Sequence, residues 1–144
     1  MIVEAKEENA LVLAQMAKEI WDNDNIYELK NEFIEIVKDK DAKVFIKFVN
    51  GSPVGFANMG LRYDYVEGTE TSPVSYLEGI YVDENHRRRG YGRELVEYCE
   101  KWSKEKGCKE FASDCLLKNK DSYKFHLALG FIEANRIICF KKNL

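Results

Sequence analysis

The chain has 144 residues, 45% hydrophobic and 33% charged, and a formal net charge of −3, which predicts one globular domain over residues 1–144 with a sizeable core. The slightly acidic balance argues against nucleic-acid binding through bulk positive charge and suits a small cationic substrate. No apolar run approaches about 18 residues and there is no signal peptide, so we expect a cytoplasmic protein without a membrane partner.

The first half of the chain shows the periodicity of a strand, two helices and a hairpin. Residues 2–5 have the pattern of a short strand. Two helical stripes follow, in which apolar residues recur every three or four positions: Leu13, Met16, Ala17, Ile20 and Trp21, then Ile26, Leu29, Phe33, Ile36 and Val37. A β-branched and aromatic run at residues 43–50 meets an Asn-Gly-Ser-Pro turn and continues as a strand over residues 54–62, which predicts a hairpin.

The second half alternates strands and helices. Its predicted elements are, in chain order, a polar loop (64–73), a strand (74–82), a helix from Tyr91 to the capping Gly107, a strand (109–114), a helix (119–129) ended by Gly130, and one or two strands (131–142). The sum is a mixed α/β sheet with helices on both faces.

The junction between the strand at residues 74–82 and the next helix has the composition of a phosphate-binding turn, Arg87-Arg88-Arg89-Gly90-Tyr91-Gly92. Glycines let successive backbone N–H groups converge, and a helix N-terminus adds its free N–H groups and positive dipole. The Gly-Lys-Ser/Thr of a nucleotide P-loop is absent, and Glu94 or Leu95 stands where the dinucleotide fingerprint needs a third glycine. The alternative is a plain connection with solvated arginines.

The four cysteines show no metal-binding pattern. Cys99, Cys108, Cys115 and Cys139 have no C-x-x-C spacing, so we expect no metal site and predict buried, reduced thiols. None stands next to a histidine in the sequence, which argues against a covalent enzyme intermediate on sulfur.

The order of elements, the Arg-x-x-Gly-x-Gly turn, and a helix that follows Asn119 and ends in Leu129-Gly130-Phe131 together resemble the GCN5-related N-acetyltransferase (GNAT) family, over nearly the whole chain. The resemblance implies an α/β (α+β) fold with a mixed central sheet of six to seven strands flanked by about four helices. It implies acetyl-coenzyme A as co-substrate, without a metal. The cofactor-binding residues that it implies are Ile80, Tyr81, Val82, Arg87, Arg88, Arg89, Gly90, Tyr91, Gly92, Arg93 and Asn119. Gly79 is placed for a β-bulge near the thioester, or for close packing.

Five short segments resemble the aminoglycoside 6′-N-acetyltransferases of that family, namely residues 64–66, 72–74, 77–80, 112–114 and 126–131. This resemblance implies acetyl transfer to the 6′-amino group of an aminoglycoside antibiotic, which confers resistance, and it implies a homodimer. The substrate-binding residues that it implies are Trp21, Asp24, Tyr65, Glu78, Asp114 and Asn135. Asp22, Asp24 and Asn135 depart from the Pro, His and Glu that the related enzymes commonly carry.

The chemistry of amine acetylation also points to particular side chains. A protonated amine cannot attack a thioester, so a group must take its proton, and Glu78 and Asp114 are the candidates. Their structural alternatives are an ion pair of Glu78 with a nearby arginine and a cap or turn role for Asp114. His126 is a candidate acid for the leaving thiolate, with Tyr123 as a substitute and plain packing as the alternative.

Direct transfer in a ternary complex is the mechanism that these residues favour. Trp21 either packs in the core or stacks on substrate, and the acidic stretches at 22–24 and 64–70 form a candidate rim for a polycation. Two other functions stay open. One is acetylation of another amine, such as a polyamine or a protein N-terminus. The other is a non-catalytic acyl-coenzyme A binding module, which would need neither Glu78 nor Asp114.

Overall fold

The β-branched and alternating runs form one mixed sheet with the strand order β1-β2-β3-β4-β5. The computed structural model describes all of residues 1–144. The strands are β1 (Ile2–Glu4), β2 (Ala42–Val49), β3 (Ser52–Arg62), β4 (Val74–Val82) and β5 (Phe111–Ala112). The first four are antiparallel to their neighbours, and β5 runs parallel to β4.

The predicted hairpin is the β2–β3 pair. Its turn places Asn50 at φ 50° and Gly51 at φ 79°, which is the left-handed conformation that Asn-Gly adopts readily in two-residue hairpin turns. The predicted strand at residues 74–82 is β4, with the same bounds.

Four α-helices flank the sheet. They are α1 (Ala10–Ala17), α2 (Ile26–Lys38), α3 (Tyr91–Glu105) and α4 (Lys120–Ala128). Asn25 and Asn119 cap the N-termini of α2 and α4, accepting hydrogen bonds from the N–H groups of Glu28 and Ser122. Gly107, at φ 82°, follows the end of α3 as predicted.

The helices divide between the two faces of the sheet, as the sequence predicts. On one face, α1 and α2 pack on β2 and β3 in a core that includes Leu13, Phe33 and Phe56, all fully buried. On the other face, α3 packs on β2, β3 and β4 through residues such as Leu95 and Trp102. The sheet therefore separates two hydrophobic cores.

A β-bulge interrupts the β3–β4 pair where the sequence analysis places it. Asn58 pairs with Gly79 and Met59 pairs with Leu77, so Glu78 is the extra residue of β4. A bulged residue bends its strand and turns its side chain away from the regular alternation. The candidate base Glu78 is thus presented at the bend.

The expectation of six to seven strands is wrong, because the sheet has five. Residues 131–142, predicted as one or two strands, form none, and the backbone of residues 132–144 (the C-terminal arm) makes no hydrogen bond to other backbone groups. The predicted strand at 109–114 shortens to the two residues of β5. A strand exists only where a neighbour pairs with it, and no strand of this chain pairs with the outer edge of β5.

Two smaller expectations also need correction. Helix α1 ends at Ala17, so Ile20 and Trp21 lie beyond the helix whose spacing they continue. Of the four cysteines, Cys99 and Cys108 are buried as predicted, but Cys115 is half-buried and Cys139 is exposed. Burial raises the pKa of Cys99 to about 12, so that thiol is inert at neutral pH.

None of the helices is both long and apolar enough to cross a membrane.

Candidate active site

The turn between β4 and α3 has backbone geometry suited to an anion. Arg88 has φ 62° and Gly90, the N-cap of α3, has φ 81°. The first bond of the helix joins the N–H of Glu94 to the carbonyl of Gly90, so the N–H groups of the preceding turn have no helical partner. The turn therefore offers a row of free donors at the positive end of a 15-residue helix.

The four arginines of this turn divide into two pairs. The side chain of Arg87 donates to the carbonyl oxygen of Val82 at 2.9 Å, and Arg93 donates to that of Ala128 at 3.0 Å. Arg88 and Arg89 are exposed and form no ion pair with a carboxylate. The first pair fastens the turn to β4 and α4, and the second pair is available to an anion.

A buried lysine that the sequence analysis missed holds the start of α3 through an ion pair. Lys47 of β2 is 7% exposed. It forms an ion pair with Glu94, and its ammonium lies 4.5 Å from the centroid of the Tyr91 ring. Gly92 lies on the opposite side, where a Cβ atom would come within 2.9 Å of the Phe125 ring. Tyr91 and Gly92 thus have packing roles at this turn.

The strand before the turn has a free edge. β5 accompanies β4 only at Ser75 and Tyr76, so the β4 edge from Glu78 to Val82 has no neighbour on that side. A ligand with amide groups can add to such an edge as a further strand does. Ile80, Tyr81 and Val82 lie on this edge, next to the anion-binding turn. Asn119, by contrast, uses its side chain to cap α4.

A cleft of about 600 Å³ opens between α2, β3 and the bulge. Trp21 and Glu78 both line it, so the structure brings these two predicted residues together. Trp21 also stacks on Phe33 with ring centroids 5.5 Å apart, and it lies against Gly79, where a Cβ atom would meet the indole at 3.0 Å. Core packing of Trp21 is therefore confirmed, and the residue also borders the cleft, while its stacking on substrate stays a prediction.

The cleft is acidic, and most of its acids were missed by the sequence analysis. Glu32, Asp39 and Asp41 line it together with Glu78. Asp41 accepts a hydrogen bond from the Tyr63 hydroxyl at 3.2 Å. Glu32 belongs to α2, whereas Asp39 and Asp41 lie in the turn before β2. In the sequence, the Asp-Lys-Asp of this turn has the pattern of an ordinary loop. Four carboxylates around one cleft favour a cationic ligand.

Glu78 is held by an arginine from the neighbouring strand. Arg62 donates to both oxygens of the Glu78 carboxylate, at 3.0 and 2.8 Å, and its guanidinium lies 3.4 Å from the centroid of the Tyr76 ring. The alternative of an ion pair with an arginine is thus realised, although by Arg62 of β3 and not by the arginines of the turn. The side chains of Arg62 and Glu78 are 43% and 36% exposed.

Tyr76 connects this pair to the second predicted carboxylate. Its hydroxyl donates to a carboxylate oxygen of Asp114. Burial, together with that hydrogen bond, raises the pKa of Tyr76 well above its ordinary value, so the hydroxyl remains a donor at neutral pH. The two acids of the sequence analysis, Glu78 and Asp114, therefore lie on either side of one aromatic ring, with a guanidinium stacked upon it.

His126 is bonded within the protein through both ring nitrogens. Nδ1 donates to the carbonyl oxygen of Ser122 at 2.7 Å, so Nε2 of the neutral ring accepts from the Ser113 hydroxyl at 2.8 Å. Ser113 Oγ is also 3.5 Å from the carbonyl oxygen of Leu77. The Tyr123 hydroxyl donates to Glu133. These contacts tie α4 to the residues next to Glu78 and Asp114.

The remaining predicted substrate residues do not line the cleft. Asp24 is exposed in the loop before α2, and Tyr65 is 76% exposed in the loop before β4. Asn135 donates to Glu67 and lies in the C-terminal arm. Sequence reasoning missed Arg62 and Tyr76, which contact the two predicted acids Glu78 and Asp114.

Comparison with protein families gives one match that covers most of the chain. The profile of the Acetyltransferase (GNAT) family matches residues 10–131. An aminoglycoside N(6′)-acetyltransferase type 1 from Serratia marcescens is 37% identical over 145 aligned positions, which cover 100% of this chain and 99% of that protein. A protein of the same name from Salmonella typhimurium is 42% identical over 108 positions, 75% of this chain and 74% of that one.

Solved structures resemble this one over its full length. The aminoglycoside antibiotic 6′-N-acetyltransferase AAC(6′)-Ig from Acinetobacter haemolyticus superposes with a TM-score of 0.94 at 33% identity, covering 100% of this chain and 99% of that one. AAC(6′)-Iy in complex with the bisubstrate analog CoA-S-monomethyl-acetylneamine gives the same TM-score and identity, covering 100% and 98%.

Proposed function

The chain belongs to the GNAT family of acetyltransferases and is an acetyl-coenzyme A-dependent N-acetyltransferase, and on that premise we propose that its acceptor is the 6′-amino group of an aminoglycoside. The observation that carries the proposal is the acidic cleft beside Glu78, lined by four carboxylates and the ring of Trp21. Aminoglycosides are polycations with apolar sugar faces, and this lining matches both properties. Relatives of that activity at 37% and 42% identity support the same acceptor.

We assign the coenzyme to the free edge of β4 and the turn that follows it. The pantetheine amides would pair with the edge near Ile80 and Val82, and the pyrophosphate would accept from the N–H groups around Gly90. Arg88 and Arg89, which have no carboxylate partner, would neutralise its charge. This arrangement directs the acetyl group toward the bulge at Glu78.

The transfer step follows from the position of the two acids. A neutral amine nitrogen attacks the thioester carbonyl carbon, a C–N bond forms and the C–S bond breaks, and the proton that the nitrogen then loses passes to the leaving coenzyme thiolate, directly or through water. The proton lost from the ammonium goes to Glu78, directly or through water, while Asp114 holds a second cationic group of the substrate. At least one of the two hydrogen bonds from Arg62 to Glu78 must break before this carboxylate can accept a proton.

A general acid for the thiolate is a smaller requirement, because a thiol is a fair leaving group. The prediction of His126 in that role stays a prediction. Its bonds to Ser113 and Ser122 support a positioning role for the ring in the unliganded protein, since they hold β5 near Leu77. We therefore expect less dependence on His126 than on the two acids.

The acceptor is tested by measuring coenzyme release with kanamycin-type and gentamicin-type aminoglycosides, spermidine and short peptides. Acetylation of aminoglycosides at the 6′ position, weakening as salt screens the acidic cleft, is the expected outcome. Turnover of spermidine or peptides without any aminoglycoside would assign the chain to another amine. Coenzyme binding without any turnover would make it a binding module.

We also propose that the protein acts as a homodimer in the cytoplasm, as one domain per chain. The support for the dimer is the C-terminal arm, whose large apolar side chains no part of the same chain covers. Ile132, Ile138 and Phe140 are each at least 80% exposed. Surfaces of this kind are normally buried against another molecule.

A further inference from the structure

One polar side chain lies among apolar ones on the sheet face that α1 and α2 cover. It belongs to Asn58 of β3, which is 5% exposed. Its neighbours on that face are Phe56, two residues earlier on β3, and Val44, its cross-strand partner on β2. Both neighbours are members of the hydrophobic core under α1 and α2. Asn is depleted in strand interiors, and a buried amide costs stability unless it is hydrogen-bonded.

The Asn58 amide has no hydrogen-bond partner within the protein, because none of the side-chain hydrogen bonds involves it. Every fully buried polar side-chain atom does have a partner, so the unpaired amide atoms of Asn58 must lie in the small accessible part of its surface. That part faces the cleft beside Glu78, which Asn58 lines. The floor of this cleft thus offers both donors and an acceptor that the fold does not use.

Asn58 lies directly across from the bulge that presents Glu78. It pairs with Gly79, the residue after Glu78, and the Cα atoms of such cross-strand pairs are about 4.5–5.5 Å apart. The indole of Trp21 lies against the same glycine, 3.0 Å from where a Cβ atom would be. The amide, the Glu78 carboxylate and the indole therefore meet around the bulge, and all three residues line the cleft.

We propose that Asn58 is a specificity-determining residue of the acceptor site, whose amide binds hydroxyl groups of the amino sugar that carries the reacting amine. This inference rests on the proposed aminoglycoside acceptor and specifies how its first ring is recognised. With the 6′-amino group at Glu78, the 3′- and 4′-hydroxyl groups of the same ring reach the floor of the cleft. The Asn58 carbonyl oxygen accepts from one hydroxyl, and its NH2 group donates to a hydroxyl oxygen.

The other polar groups of the cleft are suited to ammonium groups. Glu32, Asp39 and Asp41 are carboxylates, and the hydroxyl of Tyr63 already donates to Asp41. Carboxylates attract any polycation, so they do not distinguish an amino sugar from a polyamine. An ammonium group can only donate, whereas a hydroxyl group both donates and accepts and so uses both sides of the amide. Asn58 therefore supplies a discrimination that the acids do not.

The test compares two acceptors that differ only in these hydroxyl groups, kanamycin B and its 3′,4′-dideoxy analogue dibekacin. Both carry the same 6′-amino group and the same number of ammonium groups. At saturating acetyl-coenzyme A, the wild-type protein should favour kanamycin B in kcat/KM by about tenfold or more. The reason is that a site built to hydrogen-bond a hydroxyl is left with unpaired polar groups by an analogue that lacks it. Asn58→Leu should reduce this ratio to less than about threefold, chiefly by losing activity on kanamycin B.

Two controls separate this role from a structural one. Leu is close to Asn in size and removes an unpaired amide, so Asn58→Leu should unfold at the same or a higher temperature than wild type. Its Kd for acetyl-coenzyme A should also be unchanged. Asn31→Leu is the matched variant, because Asn31 is exposed on α2 and does not line the cleft, and it should keep the wild-type ratio. A less stable Asn58→Leu protein that loses both acceptors equally would overturn the proposal in favour of a structural role.

The acceptor pair also tests the proposal without any variant. Equal kcat/KM for kanamycin B and dibekacin in the wild-type protein would overturn it. A tenfold preference that persists in Asn58→Leu would place the recognition of the hydroxyl groups elsewhere, while the aminoglycoside acceptor would stand. Absence of turnover with both compounds would overturn the proposed function itself, and the role of Asn58 with it.

Discussion

Arg62 is the residue that most changes the view of the active site. Its guanidinium chelates Glu78 and stacks on Tyr76, whose hydroxyl donates to Asp114. An aromatic face beside a carboxylate is a favourable setting for any cation. If Glu78 binds the acceptor amine as we propose, the substrate ammonium competes with the Arg62 guanidinium for the same carboxylate.

Replacing Arg62 by Gln should lower the KM of a cationic acceptor by about two- to fivefold, because an exposed ion pair contributes up to about 1 kcal/mol. The Kd of acetyl-coenzyme A should stay unchanged. Steady-state kinetics with a saturating coenzyme concentration measures the effect, and calorimetry provides the control. A higher KM would mean that Arg62 positions Glu78 for the substrate and does not compete with it.

Glu78→Gln and Asp114→Asn should each reduce kcat/KM by about 10²-fold or more, the usual scale for lost proton transfer or lost anchoring of a cation. Asn and Gln keep the size of the side chains, so packing around Tyr76 is preserved. His126→Gln should cost less, because both ring nitrogens of His126 already bond to Ser122 and Ser113. Full activity in both acid variants would place the chemistry elsewhere.

Gly90→Val should weaken acetyl-coenzyme A binding by about tenfold or more, because a branched side chain at φ 81° is strained and crowds the free N–H groups. Gly107→Val is the matched control at the other end of α3. Gly107 has φ 82°, and neither glycine has an atom within 4 Å of a Cβ position. Both variants should lose similar stability in thermal unfolding. Only Gly90→Val should lose affinity in calorimetry.

At the scale of elements, the start of α3 depends on a buried charge. The hydrogen bond between Lys47 and Glu94 raises the pKa of Lys47 above its ordinary value, so the folded state holds this proton more tightly than the unfolded chain. The resulting stability is present below the unfolded lysine pKa of about 10.4 and is lost as pH rises through the folded value. The stability of α3, the helix that follows the proposed coenzyme turn, therefore decreases at strongly alkaline pH.

Lys47→Met should therefore reduce the alkaline loss of stability. Denaturant unfolding of wild type and variant, followed from about pH 9 to pH 11, should give a shallower decline of the unfolding free energy in the variant. Lys38→Met serves as the control, since the Lys38–Glu7 pair is exposed and 3.8 Å long. Identical pH profiles for wild type and Lys47→Met would contradict the assignment.

Elements with strong local signals were predictable from the sequence, and elements that depend on distant pairing were not. The Asn50-Gly51 hairpin, β4 and the cap of α3 at Gly107 all rest on nearby residues. Residues 131–142 have real strand propensity, but a strand needs a neighbour that this chain does not provide. Ile20 and Trp21 keep helical spacing, yet Trp21 packs on Gly79 and Phe33 beyond the end of α1.

The same distinction applies to the candidate site. The turn between β4 and α3 was predictable, because its glycines and arginines are close together in the sequence, while its binding of an anion stays a prediction. Arg62 and Tyr76 were not, since their meeting with Glu78 depends on the register of β3 against β4 and on the bulge at Glu78. The acids of the cleft, Asp39 and Asp41, belong to a turn that becomes part of the site only when α2 docks on the sheet.

At the scale of the whole molecule, coenzyme binding should stabilise the fold, because the free β4 edge and the turn exist together only in the folded chain. A saturating ligand at about 100 times its Kd adds about 2.7 kcal/mol. Coenzyme A without its acetyl group should raise the midpoint of thermal unfolding almost as much as acetyl-coenzyme A, in differential scanning fluorimetry at matched concentrations. A shift with the acetylated form alone would contradict the turn as the main source of affinity.

The end of β4 at Val82 lies about 13 Å along the strand from the bulge at Glu78, and the turn around Gly90 follows beyond that end. At that distance the turn does not sense whether the thiol is acetylated, so product and substrate compete for it on nearly equal terms. The rate of the enzyme then follows the ratio of acetyl-coenzyme A to free coenzyme A and not the concentration of acetyl-coenzyme A alone. Acetylation by this protein would slow as free coenzyme A accumulates, with no separate regulatory site.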